Sequence, residues 1–298
     1  MKQVIAFAAI LIIAGAALFC AQHRKHPDAI SANAVVDMAA DWQRDISRVP
    51  MHVTRISDQE EQRIGNELAH QYDASVPVSG AEARATENYI EQIGSRVANH
   101  ARRKLPYRFH LVQDGNLINA FALPGGHVLV GEGLLDRMTS EDELAFVLGH
   151  EIEHIDHYHA VERVQIEAQL KNLNLDVVTG LAQIPISLWQ AGYSKDEEME
   201  ADREGLRLAA AAGYSAKGAV NLLERWTKLR REFVVHAEDP TEELSQVAID
   251  SLTGYFRTHP LPEERLAQAN QIIAVDGLPV DKPLRPFRVA YEVTAGGR

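Results

Sequence analysis

Apolar positions recur at helical spacing along most of the chain and alternate only briefly, so helices should dominate. Asp58 to Tyr72 and Ala81 to Arg102 read as helices, the second aligning Ile90, Ile93, Val97 and Ala101 on one face. Tyr107 to Val112 alternates in the manner of a strand and meets a turn signal at Asp114-Gly115. A second strand is expected over Leu117 to Leu123, broken by Pro124-Gly125-Gly126, and a third over His127 to Val130. Ser140 with Glu143 reads as a capping box that opens a helix from Glu141 to His157. Further helices are expected over Lys195 to Ala212, closed by Gly213, then Ala216 to Arg231 and Glu263 to Ile273. The pattern predicts an α+β fold, predominantly helical, with a small sheet set among the helices.

The first apolar run, Val4 to Ala21, carries no charge and is flanked by Lys2 and by His23-Arg24-Lys25-His26. It reads as an export signal or a single membrane anchor over residues 1–21. Residues 22–55 have scattered charge and two prolines and read as a linker with one short helix near Val35 to Ile46. Leu173 to Tyr193 is low in charge and contains Pro185, which suits a buried hairpin or a lid. Residues 56–273 then form the main domain and 274–298 a proline-containing tail.

Composition narrows the partners. A net charge of -12, from 42 acidic and 30 basic residues, opposes binding to nucleic acid or to anionic lipid headgroups. The single cysteine, Cys20, lies in the first apolar run, which excludes a disulfide scaffold and a cysteine-ligated zinc site. Nothing in the sequence speaks to oligomeric state.

The chemistry concentrates in His150-Glu151-Ile152-Glu153-His154. Four-residue spacing on a helix puts both imidazoles on one face, where they can share a tetrahedral zinc. Glu151 stands beside that metal, not on it, and a carboxylate there can take a proton from a metal-bound water. A third ligand is expected from Glu198 on the next well-marked helix, with Asp202 one turn on to accept a hydrogen bond from a ligating imidazole. Glu197 and Glu200 are rivals, but only Glu198 pairs with Asp202 at four-residue spacing. The zinc class with a third histidine fails, because His157 and Ala160 stand where it needs glycine and histidine. His110, His127, His157 and His159 read as surface or core histidines, with His157 open as a substrate-side residue.

Four blocks in order carry a family resemblance: Asn119 to Gly126, Gly149 to His154, Glu198-Met199-Glu200-Ala201-Asp202, and His259-Pro260 with Arg265. Together they resemble the zinc peptidases of the HtpX, Oma and CAAX-prenyl-protease type. The resemblance covers about Ile56 to Ile273 and implies a zincin-like peptidase with one Zn²⁺ per chain. It implies that Asn119, Ala120, Phe121 and Ala122 lie on an edge strand beside the active-site cleft, where a substrate peptide would pair by strand addition. It also brings His259 to the metal as an oxyanion stabiliser or a reversible fourth ligand, and lets Arg265 brace the site by pairing with a carboxylate.

Together these readings imply a zinc-dependent endopeptidase acting on polypeptides. It would be exported to the periplasm or cell envelope, with membrane association through residues 4–21, and its substrates would be misfolded or unassembled envelope proteins. The alternative is a latent, catalytically restrained zinc-binding chaperone or scaffold.

Overall fold

The computed structural model describes residues 56–75, 77–170, 192–236 and 259–287. The expected export segment and linker lie outside them, as does nearly all of the Leu173 to Tyr193 segment. Helix α1 spans Asp58–Ser75 and α2 spans Ala81–Ala98. The Ser57 hydroxyl opens α1 by accepting from Glu60 N at 3.2 Å. Helix α2 stops short of the expected Arg102 because Asp156 takes the backbone there. Its carboxylate accepts from Arg102 N at 2.6 Å and Arg103 N at 3.0 Å, and from the Tyr107 hydroxyl at 2.8 Å.

Strands β1 (Arg108–Val112), β2 (Ala120–Leu123) and β3 (His127–Gly131) form one sheet in the order β1-β3-β2. Strand β3 is central, parallel to β1 through Phe109↔Val128 and antiparallel to β2 through Phe121↔Leu129 and Ala122↔Val128. That leaves β2 at an edge. It is shorter than expected because Leu117 and Ile118 are drawn into a turn, their amides bonding Asp114 O and Asn116 O. Between β2 and β3, Pro124–Gly126 makes one tight turn; Gly125 sits at φ 75° and donates its amide to Glu61 Oε1 at 3.0 Å.

Alternation along the strands divides two cores. Phe109, Leu111, Ala120, Ala122, Val128 and Val130 face the main core, while Phe121, Leu123 and Leu129 pack with Ile64, Leu68 and Tyr72 of α1. The one-turn helix α3 (Glu132–Leu135) leads to α4 (Glu141–Asp156), whose sixteen residues are all buried. Ser140 caps α4 by accepting from Glu143 N at 3.3 Å. The reciprocal half of the expected capping box is missing, since Glu143 accepts from Thr139 N at 2.9 Å and is clamped by Arg225 at 2.7 Å on each oxygen. A second helix, α5 (His159–Leu170), follows after a break at Tyr158 and was not anticipated.

Helices α6 (Lys195–Ala211), α7 (Lys217–His236) and α8 (Pro262–Asp276) follow among the described residues. Where α4 crosses α6 two glycines meet. A Cβ on Gly149 would lie 2.5 Å from Gly205 O, and one on Gly205 would lie 2.5 Å from His150 N. The backbones therefore approach more closely than side chains would allow. The residues after α8 return to the start of α4, with Glu141 N donating to Arg285 O and Arg285 N to Asp142 Oδ2 at 2.7 Å. Among the described residues no helix is long and apolar enough to cross a membrane.

Candidate metal centre

The glycine crossing sets the site. It holds His150 and His154 of α4 against Glu198 and Asp202 of α6, and all four are at least 96 % buried. His150 Nε2 and His154 Nε2 are 3.1 Å apart, His150 Nε2 is 3.4 Å from Glu198 Oε2, and His154 Nε2 is 3.6 Å from Glu198 Oε1. Zinc bonds of about 2.0–2.1 Å in a tetrahedral site place neighbouring donors about 3.3–3.4 Å apart. Two imidazole nitrogens and a carboxylate that turns one oxygen to each of them make a donor triangle near that spacing, so the residues fit the ion that the sequence implies.

Each donor is oriented from behind. Asp202 Oδ1 accepts from His150 Nδ1 at 2.9 Å, which turns Nε2 toward the triangle. Arg265 then donates to both oxygens of Asp202, at 2.7 and 2.6 Å. Burial alone would raise that carboxyl, yet Arg265 and His150 hold it at about 2. His154 Nδ1 is 3.0 Å from His159 Nδ1, and its ring is stacked on Tyr193, centroids 3.8 Å apart, with the Arg163 guanidinium on the far face at 3.8 Å. Glu198 is steadied by Tyr193 N at 3.2 Å.

The rivals of Glu198 have other partners. Glu197 closes a full capping box with Ser194, and Glu200 faces His157 and Arg203 instead of the triangle. Ser194-Lys195-Asp196-Glu197 carries the signature of that box in the sequence, which sets Glu197 apart from Glu198.

Electrostatics follow from these contacts. Burial opposes charge on His150, but Asp202 and Glu198 together raise it to about 10, a demand for positive charge that a bound cation satisfies by displacing the proton. His154, buried beside His150, is pushed well below the ordinary histidine range and stays neutral. Burial raises Glu151 to about 7, with Glu198 adding to the shift while His150, Arg265 and the Ala122 backbone oppose it.

His259 enters from just ahead of α8. Its Nδ1 donates to Glu198 Oε2 at 2.6 Å, and its Nε2 stands 3.3 Å from Asn119 Oδ1. Asn119, Ala120, Val147, Glu151 and His259 line a narrow cleft along the β2 end of the site. Ala120, Phe121 and Ala122 are all at least 96 % buried. Tyr193 and His159 are the contributors that the spacing did not single out; neither belongs to a short motif, and each is recognised only by what its ring touches.

Residues 84–273, more than half of the chain, match the family model described as peptidase family M48. The chain belongs to peptidase family M48. Among relatives, it is 29 % identical over 232 residues to the beta-barrel assembly-enhancing protease of Yersinia pestis, covering 72 % of this chain and 44 % of that protein. The protein of the same name from Escherichia coli K12 is 29 % identical over 70 % of this chain and 43 % of its own length. The mitochondrial metalloendopeptidase OMA1 of Arabidopsis thaliana is 32 % identical over 54 % of this chain and 31 % of its own. The chain thus spans less than half the length of these relatives. Membership of M48 agrees with the resemblance read from the four sequence blocks.

Proposed function

We propose that this M48 chain is a zinc-dependent endopeptidase, with His150, His154 and Glu198 as the metal ligands and Glu151 as general base. The observation that carries the reading is the buried donor group, with His150 Nε2 and His154 Nε2 3.1 Å apart and 3.4 and 3.6 Å from the two different oxygens of Glu198, braced from behind beside a carboxyl raised to about 7. When bound, the cation supplies Lewis-acid polarisation of the scissile carbonyl and makes water acidic enough to lose a proton near neutral pH.

The remaining work falls to the protein. Glu151 accepts the proton of the attacking water and returns it to the leaving amine, and a carboxyl poised near 7 can do both. Asp202 and Arg265 keep His150 in the ligating tautomer. His259, neutral because burial outweighs the pull of Glu198, offers a polar ring beside the reacting carbonyl. Asn119 to Ala122 receive the substrate as an added strand, which requires their edge to open, since the strand is buried in this state. The substrates are envelope polypeptides reached after export by residues 1–21.

A second reading is favoured by one observation. His259 is bonded to the ligand Glu198 at 2.6 Å and so is placed to restrain the metal, as in a latent peptidase or a zinc-binding chaperone. Chelator-sensitive cleavage of an unfolded polypeptide, restored by one equivalent of zinc, is the expected result for the enzyme. Zinc binding without cleavage that becomes cleavage in His259→Ala would select the latent form, and cleavage untouched by chelation would rule out both.

A further inference from the structure

Tyr158 is the one non-glycine residue at positive φ among the described residues, at 66°. A side chain in that region crowds its own backbone, so the conformation has to be held. Here Tyr158 N donates to Ile155 O at 3.0 Å, and the Arg103 guanidinium lies 4.0 Å from the ring centre. The break ends α4 and turns His157 and His159, which flank it, toward one carboxylate of α6.

That carboxylate is Glu200. Its Oε2 is 3.3 Å from His157 Nδ1 and 4.0 Å from His159 Nε2, and the three donor atoms all lie within 4.8 Å of one another. Its other oxygen faces Arg203 at 3.4 Å, so the histidine-facing oxygen is not the one that the arginine holds. Glu153 Oε2 stands 3.2 Å from His157 Nε2 and fixes that ring from behind. His157 and Glu200 are half-exposed, which leaves room for water to complete a coordination shell.

We propose that His157, His159 and Glu200 form a second binding site for a divalent transition-metal cation, separate from the His150-His154-Glu198 triangle. Two imidazole nitrogens and one carboxylate oxygen are a zinc-type donor set, and they need to close by only about an ångström to reach ordinary donor spacing.

Zinc titration of the full chain by calorimetry, with His157→Gln, Glu200→Gln and Glu198→Gln beside it, tests this site, and a thermal melt checks that each variant folds. Two zinc ions per chain are expected, with the weaker one lost in His157→Gln and Glu200→Gln and the tighter one retained. Glu198→Gln should lose the tighter zinc and keep the weaker one. A single zinc at millimolar concentration, or a second that survives His157→Gln and Glu200→Gln, overturns the site. Loss of both zinc ions in Glu198→Gln overturns the separateness of the two sites. Loss of the only zinc in His157→Gln would instead overturn the reading of the first triangle while sustaining this site.

Discussion

Arg265 grips Asp202 with two hydrogen bonds, 2.7 and 2.6 Å long, and Asp202 passes that order to His150 Nδ1 at 2.9 Å. The chain Arg265–Asp202–His150 makes a residue on α8 answerable for the aim of His150, the proposed ligand on α4. Arg265→Ala leaves a buried carboxylate uncompensated, at a cost of roughly 3–5 kcal/mol. Its zinc affinity should also fall by about 10–100-fold. Arg265→Lys keeps the charge but loses the fork and should fall between the two. Chelator competition and denaturant unfolding measured on all three chains check the order.

The glycine crossing gives a second prediction. Gly205→Ala places a methyl about 2.5 Å from His150 N, so α4 and α6 must part. Overpacking of this kind costs roughly 1–3 kcal/mol, and here it also spreads the donor triangle, so stability and zinc affinity should fall together. Gly115→Ala, where a Cβ meets nothing within 4 Å, should change neither.

The neighbours Glu197 and Glu198 should separate cleanly. Glu197→Ala removes a cap, at about 1 kcal/mol of stability, and leaves zinc bound. Glu198→Gln should strip the tight zinc while costing little of the fold's cap. Parallel melts and metal analysis of the two variants provide the check; loss of zinc in Glu197→Ala would exchange their roles.

Much of this was legible in the chain. The helix containing His150 to His154 and its Ser140 cap followed from spacing, and the pairing of Glu198 with Asp202 at four residues picked the carboxylate that faces the histidines. The break at Tyr158 was not legible, because it is imposed by contacts with Arg103 and Ile155 that no local pattern encodes. The partnership of His154 with His159 and Tyr193 was hidden for the same reason. The return of Arg285 to the start of α4 joins residues about 140 positions apart, beyond the reach of periodicity.

Acid should destabilise the fold through His127. Burial, with His110 and Arg108 beside it, lowers that histidine to about 4, and it lies 2.9 Å from both His110 Nε2 and Asn66 Oδ1. Asp73 stands on the far side of His110 at 3.5 Å and is half open to water. Below the ordinary histidine pKa the unfolded chain takes up a proton that the folded chain refuses. Stability should therefore be full above about pH 6.5 and decline toward pH 4, by at most about 3 kcal/mol. Urea midpoints at pH 7.5, 5.5 and 4.5, compared with His127→Gln, check this, and the variant should show the shallower slope.

The most direct test of the account separates metal binding from hydrolysis at one residue. Zinc content and casein cleavage are measured on the same preparations of the unaltered chain and of Glu151→Gln. The tight zinc should be equal in both, and cleavage should fall by about 10²–10⁴-fold in Glu151→Gln, the contribution of a positioned base. Equal cleavage in the two, or no zinc in the unaltered chain, would contradict the proposed roles of the metal and of Glu151.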